Sequence, residues 1–194
     1  CSLVGSEMCI RDRYNNLDRI TNLPDDYYYT QAITDSAVSF VNKHDCKTPM
    51  FLYVAHYAPH LPLQALQKYI DKCIDRYKVG YDVLRKQRFE KQKQLQLVPD
   101  EMELPLFNKE FGGKRPAWEE LTTEQQHKWI NDMATYAAMI EIMDEGIGKL
   151  VDAIKKKGMY ENTVFIFLSD NGATDEGGSV SYTHLRAHET AANL

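Results

Sequence analysis

The chain has 194 residues, of which 43% are hydrophobic and 26% charged, and it carries a formal net charge of −5. That length holds one domain or part of a larger one, with enough apolar residues to bury a sizeable core. The acidic balance excludes a general nucleic-acid surface, no apolar run is long enough to span a bilayer, and no secretory signal opens the chain.

In chain order, the two ends differ in texture from what lies between them. Residues 1–13 (CSLVGSEMCIRDR) lack clean periodicity, and 179–194 (SVSYTHLRAHETAANL) follow Gly177-Gly178 with an abrupt change. Both resemble translated sequencing-adapter read-through and are read as non-native segments, the alternative being a disordered arm and tail. Residues 14–178 are expected to hold the domain. From Asp25 to Lys43 the apolar residues Ile33, Ala37, Phe40 and Val41 recur at helical spacing, with Asp25-Asp26 supplying early negative charge. A polar stretch from Lys43 to Pro49 ends that helix. Met50-Phe51-Leu52-Tyr53-Val54-Ala55 then reads as a buried strand, beginning an α/β alternation.

The strand empties into a loop, His56 to Ala65, in which Pro59 and Pro62 forbid regular helix. The spacing of His56 and His60 invites a zinc reading. That motif needs both imidazoles on one helical face, and Pro59 disfavours the α conformation at Ala58. A single histidine held between prolines fits better as a substrate ligand or proton donor, which singles out His60 and leaves His56 structural. Residues 65–96 are charged and helical, with a broken apolar stripe at Tyr69, Ile70, Cys73, Tyr77, Val83, Leu84 and Phe89. The lysines and arginines from Lys68 to Lys93 are interrupted by acids and read as a solvated face. Leu97 to Trp118 is an irregular excursion.

A long helix follows. Thr122 and Gln125 have capping-box spacing, and Trp129, Met133, Tyr136, Ile140, Met143, Ile147, Leu150 and Ile154 draw one apolar seam. Burial against a sheet accounts for that seam better than a coiled coil, because a buried strand follows. Gly146 and Gly148 weaken the helix locally, while Lys155-Lys156-Lys157 and Gly158 suit its end. Thr163 to Leu168 is a continuous apolar run of the kind covered on both faces in a parallel sheet. Ser169-Asp170-Asn171-Gly172 falls at its carboxyl end, where open α/β sheets place ligands. Asp170 and Asn171 are adjacent oxygen donors suited to calcium or magnesium rather than zinc, or else part of an ordinary turn. If both strands share a sheet, His60 and the Asp170–Asn171 pair open on one edge. The cysteines show no CxxC spacing, so Cys46 and Cys73 read as buried or free thiols.

Three strings in register resemble bacterial arylsulfatase-type sulfatases: Phe51 to Ala65 with its APHLPLQA core, Tyr136 to Gly148 (YAAMIEIMDEGIG), and Asn162 to Ala173 (NTVFIFLSDNGA). Leu66 stands where that family usually has proline. The resemblance implies a three-layer alkaline-phosphatase-like α/β fold with a mostly parallel sheet, incomplete in this chain. It also implies hydrolysis of sulfate esters by a formylglycine nucleophile, assisted by calcium (or magnesium), on a small sulfate ester or a sulfated glycan. On that basis Asp170 and Asn171 become metal ligands, and His60 contacts the sulfate and its leaving oxygen. The implied address is periplasmic or secreted. The family's nucleophile string, Cys or Ser followed by x-Pro-x-Arg, is not matched: Cys9-Ile10-Arg11-Asp12-Arg13 has arginine in the proline position. The early Asp-Asp metal pair, an upstream Lys and His, and a downstream Lys are also missing. An internal piece of a sulfatase domain, inactive alone and poorly soluble through exposed sheet edges, is therefore expected. A phosphodiesterase or phosphonate hydrolase of the same superfamily and a non-catalytic binding module are the alternatives.

Overall fold

The helical spacings are realised as four helices in the computed structural model, which describes residues 14–15, 18–20, 22–24, 26–104 and 116–169. They are α1 (Tyr29–Lys43), α2 (Gln67–Tyr77), α3 (Tyr81–Gln94) and α4 (Thr123–Lys156), preceded by a two-residue antiparallel ribbon of β1 (Tyr14–Asn15) and β2 (Asp18–Arg19). Helix α1 begins later than the early acids suggest. Tyr27 N–H closes a turn on Pro24 O at 3.1 Å, and Tyr28 is extended, so the first helical residue is Tyr29.

Gly80 separates α2 from α3 with φ +80°, a conformation L side chains rarely adopt. A Cβ at that position would stand 2.5 Å from the Trp118 ring carbons, so the indole closes directly over the turn. At the start of α4, Thr122 N–H donates to Gln125 Oε1 (2.9 Å) and Gln125 N–H donates to Thr122 Oγ1 (3.2 Å), the reciprocal pair of a capping box. The helix then runs 34 residues, roughly 50 Å, without a break at Gly146 or Gly148. Gly158, at φ +70°, ends it, with Met159 N–H reaching back to Ile154 O at 3.1 Å.

The buried seam of α4 differs from the expected one in the middle. Ile140 is 37% exposed, whereas Ala138, Met139, Ile142 and Gly146 are buried. At 100° per residue Ile140 falls within about 20° of Trp129, so α4 is covered on different faces along its length rather than along one continuous seam.

The chain divides into two compact units, residues 1–58 with 142–164 and residues 59–141 with 165–194. In the first, Val41 of α1 and Ala153 and Ile154 of α4 form a core, covered by Val38, Met50, Leu52, Leu150 and Met159. The Lys157 ammonium donates to His44 O (2.8 Å) and Asn42 O (3.2 Å), satisfying carbonyls left over at the end of α1. Higher up, Gly146 lies against Thr34, whose hydroxyl donates to Thr30 O at 3.2 Å. Alanine at 146 would gain about 1 kcal/mol of helix propensity but place a methyl on a stiff β-branched side chain, at a cost of about 1–3 kcal/mol. Gly146→Ala is therefore expected to lower stability by about 1 kcal/mol in urea titration. Adding Thr34→Ala should restore it, and a single variant more stable than wild type would show that Thr34 simply moves aside.

In the second unit Tyr81, Trp129 and Met133 are buried together, with Leu63, Tyr77, Trp118, Leu121 and Tyr136 packed around them. Tyr81 meets Trp118 edge-on (5.2 Å, 85°) and Trp129 at a tilt (4.7 Å, 56°), arrangements that suit the ring quadrupoles. The Tyr81 hydroxyl donates to Pro116 O, Asp82 accepts from Trp118 N–H at 3.0 Å, and Gln126 donates to Trp118 O at 3.0 Å. These bonds fix the 3₁₀ turn Trp118–Glu120 over α3.

The two apolar runs expected as buried strands are not helical, and they carry no ladder among the described residues. Along 50–56 burial alternates: Met50, Leu52, Val54 and His56 turn inward, while Phe51 and Tyr53 are 92% and 74% exposed. Period two is the signature of a pleated strand with one face covered. From Val164 to Leu168 every side chain is exposed, Val164 by 86% and Ile166 by 79%, so the expectation of a strand covered on both faces is corrected. Strand pairing is non-local, and the described residues supply helices for one face of 50–56 but no neighbouring strand.

Candidate functional site

His60 lies in the loop between the 50–56 segment and α2, and it is exposed. Its Nδ1 is 2.7 Å from Leu61 O. A carbonyl oxygen only accepts, so Nδ1 holds a proton there and Nε2 becomes the atom that gains or loses the second one. Leu63, three residues on, packs against the Tyr81–Trp129–Met133 core and ties the loop to its unit.

The 56–65 segment is not helical, so the His56–His60 spacing does not place the two rings on a helical face. His56 belongs to the inward side of the 50–56 alternation and is half-buried, with Nδ1 enclosed and lacking a hydrogen-bond partner. Burial lowers its pKa below the ordinary 6.5, which favours the neutral ring. A histidine whose folded pKa is depressed withholds protons that the unfolded chain binds. Stability should therefore fall as pH drops from about 6.5 towards the folded pKa, by no more than about 1.4 kcal/mol per pH unit for one proton. His56→Phe is expected to flatten that part of the melting-temperature profile, and an unchanged slope would assign the effect elsewhere.

Asp170 and Asn171 lie outside the described residues, as does Gly172, and their expected convergence with His60 lies there too. Among the described residues no group of three or more His, Cys, Asp or Glu side chains is placed to hold a metal ion. The donor chemistry of Asp170 and Asn171, a carboxylate beside an amide oxygen, fits a hard divalent cation.

Neither described cysteine is in a disulfide: Cys46 is exposed and Cys73 buried. Burial, and then the Glu141 carboxylate that accepts from its Sγ at 3.7 Å, raise the Cys73 pKa above the ordinary 9.0. Cys73 is thus held as an inert thiol rather than a nucleophile.

One constellation escaped the sequence reading. Tyr77 at the end of α2 and Tyr136 on α4 are half-buried against the aromatic core, under the influence of the positive charges of Arg76 and Arg88. Burial raises both tyrosine pKa values above the ordinary 10.0, against the pull of these arginines, and keeps the hydroxyls as neutral donors. The available signal was the helical spacing of Tyr81, Arg85 and Arg88 on one edge of α3, masked by the run of other charges around it.

The family model described as Sulfatase matches residues 2–193. An uncharacterized sulfatase, PB10D8.02c of Schizosaccharomyces pombe, is 38% identical over 147 residues, covering 76% of this chain and 26% of its own length. An arylsulfatase of Klebsiella aerogenes is 36% identical over 175 residues, 90% of this chain and 37% of its own. Arylsulfatase J of Mus musculus is 25% identical over 175 residues, 90% and 21% of the two lengths. The chain belongs to the sulfatase family. That family's domain has an alkaline-phosphatase-like α/β fold, of which the described residues form a helix-rich part. The chain spans well under half the length of the curated relatives it matches.

No helix among the described residues is long and apolar enough to cross a membrane.

Proposed function

We propose that the protein containing this chain is a sulfuric ester hydrolase, with residues 14–178 as the sulfatase portion and 1–13 and 179–194 foreign to it. The observation that carries the reading is family membership over most of the chain, joined to an exposed His60 with its Nδ1 proton anchored on Leu61 O. Anchoring one ring nitrogen fixes the imidazole and presents Nε2 as a donor when charged. In that state it hydrogen-bonds a sulfate oxygen or the leaving oxygen and stabilises charge as the ester S–O bond opens. Asp170 and Asn171 would hold calcium, which withdraws charge from the sulfate oxygens when bound. The attacking oxygen is that of a formylglycine, for which this chain offers no matching string: Arg11 occupies the proline position after Cys9. A periplasmic or secreted address fits the family.

The purified 194-residue chain should not turn over 4-nitrophenyl sulfate, whereas the complete parent protein should do so in a chelator-sensitive manner. Turnover by the chain alone would refute its inactivity. A parent protein that cleaves a phosphate diester but no sulfate ester would move the assignment to phosphodiesterase, and one that cleaves neither would make it a binding module.

A further inference from the structure

We propose that Leu63 is a positioning residue for His60: seated on the Tyr81–Trp129–Met133 core, it holds the loop in the place from which the imidazole is presented. That the imidazole acts on a sulfate ester rests on the hydrolase reading above, whereas the seating of the loop does not.

The contact of His60 Nδ1 with Leu61 O (2.7 Å) reaches only to the next residue. It orients the ring against its own backbone, but it does not place that backbone in the unit. His60, Pro62 and Gln64 are all exposed, so their side chains have little to bury. Leu63 differs. It is partly buried and packs on Tyr81 from α3 and on Trp129 and Met133 from α4. Pro62, whose ring locks φ, stands between Leu61 O and Leu63, so the carbonyl that holds Nδ1 is joined to the seated residue by a stiff link. From Leu63 back to His60 is three residues, within about 11 Å along even a fully extended chain.

The surface under Leu63 is itself well fixed. Tyr81 meets Trp129 at 4.7 Å and Trp118 at 5.2 Å, and all three members of the core are at most 7% exposed. The far end of the loop is fixed by α2: Leu66 O accepts from the N–H groups of Tyr69 (2.9 Å) and Ile70 (3.3 Å), and both of those side chains are buried. Leu63 is thus the point at which an exposed loop acquires the order of the core, and a reacting group displaced by about 1 Å loses much of its effect.

Two measurements test this. The first is nitrogen-15 NMR of the His60 ring in the 194-residue chain, at a pH where the ring is neutral. Wild type should carry its proton on Nδ1, held there by Leu61 O. Free imidazole of a histidine side chain prefers the proton on Nε2, so Leu63→Ala should shift the signals towards that form, whereas Leu63→Met should keep the wild-type pattern. Leu150→Ala, which removes a leucine packed on the Val41 core, controls for general loosening and should leave the ring signals unchanged. The second is turnover of an aryl sulfate by the complete parent protein. Leu63→Ala should lower kcat about tenfold or more with KM within about threefold, and Leu63→Met should recover most of the rate. Added to His60→Ala, it should cost under about twofold, because the anchor then holds nothing that reacts. Unchanged ring signals in Leu63→Ala, an equal shift in Leu150→Ala, or a full additional rate loss in the double variant each overturn the proposal. Because the ring signals are read without turnover, a parent protein inactive on sulfate esters would sink the hydrolase reading and leave the seating of His60 to be decided by the first measurement.

Discussion

On the proposed hydrolase reading, His60→Ala in the complete parent protein is expected to lower kcat on an aryl sulfate by about 10²–10³-fold, the usual loss when one donor to a developing oxyanion is removed. The loss should fall on kcat more than on KM, because charge on the leaving oxygen grows as the bond breaks and is small in the bound ester. The side chain is exposed, so the melting temperature should shift little, within about 0.5 kcal/mol of stability. His60→Gln keeps a donor of similar reach but cannot carry positive charge, and it should recover only part of the rate. An alanine variant within threefold of wild type would remove His60 from the chemistry. Its anchoring bond to Leu61 O would then be no more than a loop contact.

The largest effect on stability is expected at Trp129. Its indole is 7% exposed, packs 4.7 Å from Tyr81 and lies beside Met133 in the core of its unit. Truncation to alanine removes the apolar transfer energy and leaves a void that neighbours on three separate segments cannot close together. The cost should be about 3–5 kcal/mol, a large fraction of what an ordinary domain has to lose. Phe51→Ala is the matching control: a ring 92% exposed has little burial to forfeit, and its loss should cost under about 0.5 kcal/mol. Comparable losses at the two positions, read from urea midpoints, would mean that Phe51 is covered in solution and Trp129 is not as packed as described.

The helices were legible because their causes are local. The Thr122–Gln125 cap, the Gly158 stop and the apolar faces of α1 and α4 each depend on residues within one or two turns. The seam of α4 was misplaced at Ile140 because one face was read as buried throughout, whereas different faces are covered along its length. Gly146 was read as a weak point, since sequence shows the missing side chain but not Thr34 filling the space. The strands were read as continuous buried runs, whereas burial alternates along 50–56, Val164 to Leu168 is exposed, and a ladder needs partners distant in the chain. His60 was singled out from its two flanking prolines, and the structure places it exposed in that loop. The packing of Tyr77 and Tyr136 on one aromatic core was not legible, because it needs separate helices to come together.

The placement of the two tryptophans has a spectroscopic consequence. Trp118 and Trp129 both belong to the unit built around Tyr81, and the sequence contains no other indole. Intrinsic emission excited at the red edge therefore watches one half of the molecule and is blind to the half organised around Val41. Ellipticity at 222 nm sums helices from both, so superimposable melting traces from the two signals would identify a single cooperative transition, and a lag between them would time the halves separately.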